Sequence, residues 1–434
     1  MKATFGNSFA KRSLVIAVTA LPSLYSGLAS AQAAPPPPPP PAPVAAPAPP
    51  VAAPAPAAEP APVTTPVPAV IAEPAANPVA PLPAPPPEAP PAPTDPDAEK
   101  YKHIDIGVWM RLTTKLQKRS DPSKLGGIGG DGEVELHMAN QMRKYLAWTA
   151  NFVATYNAST PPDQPSSAVQ VLDLIAQFEP DPAFNLWVGR MLVPTDRSNF
   201  SGPYFMGPWN YQVFNPKEGP NGRNNGVTAW GNIAGGTLKY YLGAFNLNVP
   251  ETQVLFSGRL NLSLLSPEPG FYSSSTYYGK DVLAIGVGGQ YQKNGDPGAA
   301  AMPPDVPAGA PADYGLFNAD VLFEKQLAGA GVLDLEGAFY KYIGDNNTTD
   351  FSYYALASYL TPKVGDAGMF QPLVRLEQGK PKGDGGTTAT ILDAQVGYVV
   401  DNYATRFALG FQHANDSSLS SKSNAVFFGI QLMK

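Results

Sequence analysis

Charged side chains recur on one face of short alternating stretches, and these are the residues with chemistry to offer. The bases Arg111, Lys115, Lys239, Arg259, Arg375 and Arg406 share that face with the acids Asp105, Glu135, Asp173, Asp320, Glu324, Asp334, Glu336, Glu377 and Asp393. Fixed charges of both signs make a field that orients dipolar molecules and steers ions. They do not make a covalent catalyst. The chain has no Cys, and its three histidines, His103, His137 and His413, lie far apart without HExxH or HxH spacing. That removes thiolate metal sites, cysteine nucleophiles and a histidine metal centre. Only His137 falls in the middle of a strand-like run, and nothing near it in sequence marks a serine or acid partner. No enzyme, no cofactor and no metal are expected. With a net charge of −6, nothing in the balance attracts nucleic acid either.

Holding charges in such rows takes extended segments, because only a strand returns every second side chain to one face. In Ile104–Leu112 the residues Ile104, Ile106, Val108, Met110 and Leu112 oppose Asp105 and Arg111. Period two recurs to the last residues: Leu172, Leu174, Ala176 and Phe178 oppose Asp173, Gln177 and Glu179, and Val426, Phe428, Ile430 and Leu432 close the chain. Sixteen such runs can be counted between residues 103 and 433. The connections after odd-numbered runs are long or polar, and most of those after even-numbered runs are short; the gap Ser266–Lys280 breaks this rule. An even number of amphipathic strands with long connections at one end and short turns at the other describes a transmembrane barrel: closure pairs every strand and lipid covers the apolar side. The expected fold is therefore all-β, a 16-stranded antiparallel transmembrane β-barrel over residues 100–434. At that strand number the interior is wide enough to hold water.

What precedes the barrel is of another kind. Lys2, Lys11 and Arg12 stand before the apolar run Leu14–Leu21, with small residues at Ala29-Ser30-Ala31 and Ala31-Gln32-Ala33, so residues 1–33 read as a secretory signal peptide. Residues 34–99 form a Pro/Ala-rich arm with 28 prolines between Pro35 and Pro96. This composition cannot build a core and predicts a disordered, extended polyproline spacer.

One connection stands apart. Residues 195–225 are rich in Gly, Pro, Asn and aromatics, among them Phe200, Tyr204, Phe205, Trp209, Tyr211 and Phe214, too apolar for a solvated tip. The preceding stretch Leu186–Pro194, with Gly189-Arg190 and Pro194, resembles the segment that enters the third loop of phosphate-selective (O/P) type porins. Gln371-Pro372-Leu373-Val374-Arg375-Leu376 resembles their QPxVR element, and Asp401–Phe407 with Gly410-Phe411-Gln412 their penultimate hairpin. The resemblance covers residues 102–434. It implies a sixteen-stranded homotrimeric, water-filled channel in the outer membrane, passing small hydrophilic solutes or ions through a constriction made by that inward-folded third loop. Two features depart from the family. The chain ends Gln431-Leu432-Met433-Lys434 where similar chains end in an aromatic, and no dense lysine run argues for phosphate itself.

On this reading the pore-lining residues are Arg111, Lys239, Arg259, Arg406, Asp320, Asp334 and Glu336, with Arg190, Arg375, Asp196 and Arg197 at the constriction. Bases on early and late strands, opposed to acids on strands ten and eleven, are expected to set a transverse field. Strict alternation from Leu186 points Arg190 at lipid, which costs ~2–4 kcal/mol at mid-depth. The opposite phase, Arg190 inward and Trp187 outward, is therefore expected. A different class of function is a structural barrel that anchors the Pro-rich arm, tethering the outer membrane to cell-wall or envelope partners.

Overall fold

The computed structural model describes residues 101, 103–117, 128–157, 166–216, 222–246, 253–296, 310–345, 347–364, 368–383, 387–416 and 421–434. The signal-peptide and arm expectations fall outside the described residues. Sixteen antiparallel strands follow one another: β1 (Asp105–Gln117), β2 (Ile128–Arg143), β3 (Leu146–Asn157), β4 (Ser166–Asp181), β5 (Phe184–Leu192), β6 (Arg223–Ile233), β7 (Leu238–Asn246), β8 (Leu255–Ser263), β9 (Val282–Asp296), β10 (Ala312–Gln326), β11 (Val332–Ile343), β12 (Thr349–Leu360), β13 (Met369–Pro381), β14 (Ala389–Asp401), β15 (Thr405–Asp416) and β16 (Ser421–Met433). Each pairs with its neighbours in sequence, and β16 pairs back onto β1 through registers such as Arg111↔Gln431 and Thr113↔Gly429. The barrel is closed. No strand edge is left to be satisfied by anything else.

Period two sorts the side chains as the sequence pattern requires. Along β8, Leu255, Ser257, Arg259, Asn261 and Ser263 are buried, while Phe256, Leu260 and Leu262 face out. The outer surface is aliphatic and aromatic on strand after strand, with Val108, Leu136, Leu174, Leu242, Leu260, Phe317, Leu335, Val374 and Leu409 all exposed. The shortest strands have nine residues, and about 9–11 tilted residues suffice to cross a bilayer.

One interruption of the alternation matters. On β4, Asn151 faces Asp173 while Phe152 faces Val171, so Leu172 is an extra residue, a β-bulge. It turns Leu172 inward beside Asp173, correcting its expected place in the outer row with Leu174. Short turns such as Lys144-Tyr145 and Pro182-Ala183 lie at the rim that also holds Lys434. The connections after odd-numbered strands lie at the other.

Two connections do not stay at their rims. The connection between β5 and β6, here called L3, carries a short helix α1 (Arg197–Phe205) and is buried through most of 193–216. The connection between β8 and β9, here called T4, spans 264–281 and buries Glu268, Phe271, Ser273, Ser275 and Thr276. Because successive connections alternate between rims, L3 and T4 enter the barrel from opposite ends. An apolar core forms between them and the wall: Trp187, Trp230, Tyr241 and Tyr340 from the strands, Phe200 from L3 and Phe271 from T4.

Candidate functional site

L3 is fastened as soon as it leaves β5. The carbonyl of Thr195 accepts from Arg259 Nη1 at 2.9 Å and from Asn318 Nδ2 at 3.2 Å. Asp196 accepts from the Tyr340 hydroxyl and from Gln212 Nε2 at 3.3 Å. Burial, opposed by the Tyr340 hydroxyl, raises the Asp196 carboxyl above its ordinary range.

Arg197 is the centre of the arrangement. Its Nη1 and Nη2 donate to Glu268 Oε1 and Oε2 of T4 at 2.6 and 2.8 Å, and Nη1 also reaches the Ser274 carbonyl at 3.0 Å. Asp320 lies 3.8 Å from Arg197 Nε and is gripped on its other side by Arg259. Asn261 Nδ2 and the Tyr277 hydroxyl add donors to Glu268 at 2.8 and 2.7 Å, and Lys239 Nζ holds the carbonyls of Glu268 and Gly270. Two inserted segments and three strands, β7, β8 and β10, thus share one dry charge cluster. A planar fork on a carboxylate is among the strongest hydrogen-bonded pairs, and its directionality sets the position of both segments.

That pair also survives acid. Burial opposes ionisation of Glu268, but the Arg197 charge and its hydrogen bonds override it and hold the carboxyl at about 2, below its ordinary 4.5. A carboxyl depressed on folding contributes stability that is complete above its unfolded value and lost as pH falls through the folded one. The packing of T4 is therefore expected to persist at pH 4 and to fail only near pH 2, as read by tyrosine and tryptophan near-UV dichroism.

The remainder of L3 is tied to the opposite wall. Arg406 Nη1 donates to the Met206 carbonyl at 2.7 Å, and Nη2 reaches those of Pro203 and Tyr204. Trp209 donates its indole N–H to Thr113 Oγ1 at 2.9 Å and its backbone N–H to Gln395 Oε1 at 2.7 Å, while Arg111 stacks 4.1 Å over its ring. Arg375 pairs with Asp393 at 2.6 Å and donates to the Tyr211 carbonyl; Glu377 accepts the Val213 and Phe214 backbone N–H groups, both at 2.7 Å. T4 is anchored likewise. Glu324 accepts backbone N–H donors from Tyr277, Gly279 and Lys280, Tyr241 donates to the Phe271 carbonyl, and Ser275 N–H reaches the Phe205 carbonyl of L3 at 3.1 Å.

The wall is also shaped for the loop. A Cβ at Gly429 would sit 2.2 Å from the Trp209 ring, and one at Gly379 would sit 2.1 Å from Phe214. Gly429→Val is expected to evict Trp209 and lower stability by about 1–3 kcal/mol, measured as a shift of the urea midpoint in lipid vesicles.

Most of the inward bases and acids expected to line the lumen are therefore fasteners rather than free charges. Arg259 and Asp320 pair with each other, Arg375 pairs with Asp393, and Arg111 and Arg406 hold L3 carbonyls. Asp334 accepts from the Ser358 hydroxyl at 2.9 Å and Glu336 from the Tyr354 hydroxyl at 2.7 Å. The expected field between opposed clusters is broken up into short pairs. Arg190 is a second correction: it lies across from the outward Leu174, and its Nε donates to the Val171 carbonyl at the bulge at 3.0 Å. Trp187 points inward instead and stacks on Phe271 at 4.2 Å. The inner side of β5 is packed protein, which favours the indole. Arg190 sits two residues from the end of its strand, where an outward base costs only about 0–1 kcal/mol.

Sequence reasoning missed Glu268, whose only signal was the anomalous length of its connection, and Arg223, which pairs with Asp173 at 3.2 Å. Among the described residues no group of three or more His, Asp or Glu could hold a metal ion.

No protein-family model matches the chain, and no curated protein does. Solved structures do. OmpF of Salmonella typhi, in complex with daunomycin, superposes with a TM-score of 0.53 at 11% identity over 77% of this chain and 99% of its own. OprB of Pseudomonas putida gives 0.53 at 10% identity, covering 78% and 95%. A loop-deleted OmpT, an outer membrane protein of Vibrio cholerae, gives 0.50 at 13% identity, covering 76% and 99%. At these identities the likeness is one of fold: the chain adopts the closed barrel of outer-membrane porins.

Proposed function

We propose that the protein is an outer-membrane diffusion channel for small hydrophilic solutes or ions, acting as a homotrimer. The observation that carries this reading is a closed barrel, apolar outside and charged inside, whose interior is narrowed by two fastened insertions instead of being filled by wall side chains alone. Lipid accounts for the outer surface, and the pinned L3 and T4 set the width of the path. Asp196 and Arg197 belong to that narrowing through their anchoring contacts, with Arg111, Lys239, Arg259, Asp320, Arg375 and Arg406 as its fixed frame. Glu336 and Asp334 support the wall behind T4.

The resemblance to phosphate-selective (O/P) type porins is consistent with this proposal, but phosphate is not proposed as the solute. Among the described inward lysines, Lys115 pairs with Asp131 at 3.4 Å and Lys239 holds carbonyls. The second role proposed is that of the Pro/Ala arm of residues 34–99 as a tether to envelope partners. Planar-bilayer recording tests both statements: the purified chain should give ohmic steps, and deletion of residues 35–97 should leave them unchanged. A silent barrel would leave the anchoring role alone.

A further inference from the structure

The interior is not filled evenly. On the wall from β10 to β14 the inward side chains are sealed under L3 and T4, with Asn318, Glu324 and Ser352 all at 0% exposure. On the wall from β1 to β4 many stay half-exposed: Trp109, Thr113, Lys115, Asp131, Glu133, His137, Thr149 and Gln177. The L3 residues turned that way, Pro203, Phe205, Asn210 and Tyr211, are half-exposed too. Open space therefore runs down one side of the barrel.

Charge along that side is unbalanced. The acids are Asp131, Glu133, Glu135, Asp173 and Glu179; the bases are Arg111, Lys115 and Arg223. Lys115 is occupied by Asp131, Arg223 by Asp173, and Arg111 by the Trp209 carbonyl and ring. Of the three other acids, Glu179 accepts the Trp187 indole N–H at 2.9 Å, which leaves two carboxylates. Glu133 lies across from Arg111 in register, but its Oε1 has no hydrogen-bond partner. Glu135, only 3% exposed, has no hydrogen bond or ion pair among the described residues, and its register partner is the uncharged Trp109. Glu133 and Glu135 are alternate residues of β2, so both point inward: Glu133 is half-exposed to the open space and Glu135 is buried directly beside it. A carboxylate walled by protein and lacking a fixed partner is stabilised by a mobile one.

We propose that the conducting path follows the β1–β4 wall and that Glu133 and Glu135 make it selective for monovalent cations over anions. This rests on the channel reading above and adds to it the route and the sign. Cations are drawn to the excess carboxylates and leave readily, because no chelating group closes around them. Anions meet the same field as a barrier.

Reversal potentials in a KCl gradient test the sign. The intact chain should favour K⁺ over Cl⁻, and Glu133→Gln and Glu135→Gln should each reduce the permeability ratio about twofold at 0.1 M salt, the double variant more. Heat-modifiable migration in SDS gels confirms that each variant is a closed barrel. The route is tested separately, since the native chain has no cysteine. A cationic methanethiosulfonate should change conductance in Thr149→Cys and Gln177→Cys and leave Ser352→Cys untouched. Chloride preference, an unaltered ratio in the double variant, or reaction at Ser352→Cys overturns the inference while leaving the channel standing. Absence of any conductance in the intact chain overturns both.

Discussion

Arg197→Ala is expected to raise single-channel conductance severalfold and to lower barrel stability by about 3–5 kcal/mol, because it strips the partner from a buried carboxylate. Arg197 and Glu268 lie at 0% and 1% side-chain exposure, so water cannot replace the lost guanidinium without opening the cluster. Asp320 keeps Arg259; Glu268 keeps only neutral donors to its carboxylate, with Lys239 on its backbone carbonyl. T4 would then leave its seat, and the space between L3 and the β8–β10 wall would open to solvent. Arg197→Met combined with Glu268→Leu removes both charges at similar volume and should recover most of the stability, since apolar replacement of a buried pair is often near neutral. Recording in planar bilayers and urea unfolding in vesicles give the two readouts. Unchanged conductance together with unchanged stability in Arg197→Ala would show that the fork does not hold the insertions.

Leu260→Arg is expected to cost about 2–4 kcal/mol in a bilayer, whereas Val254→Arg should cost about 0–1. Both positions face outward, at 50% and 44% exposure, but Leu260 lies within β8 and Val254 just before its long-connection rim. A guanidinium at the rim reaches the headgroups, while one in mid-strand must drag water or thin the membrane. An outer surface bathed in water would make the two substitutions equally harmless, so equal midpoints in vesicle-based unfolding would remove lipid from the account.

The barrel was legible because period two is a local property: β8 and β13 can be assigned from nine or ten consecutive letters, and Arg259 and Arg375 fall inward by parity alone. Local order is also where that reading stops. The extra residue at Leu172 leaves no compositional trace, yet it resets the phase of β4. The phase of β5 turned on whether its inner side meets water or packed rings, a fact held by Phe271 more than eighty residues away. Arg197 and Glu268 are 71 residues apart, and nothing near either one announces the other. The over-long Ser266–Lys280 gap was visible as an anomaly. Its cause is that this turn is an interior part rather than a connector.

Trp209 spans the Thr113↔Gly429 pair, where the first strand meets the last. The indole therefore works as a rivet across the join that turns a sheet into a tube. The seam and the loop thus share one fastening: whatever unseats the indole also loosens the place where the sheet closes on itself.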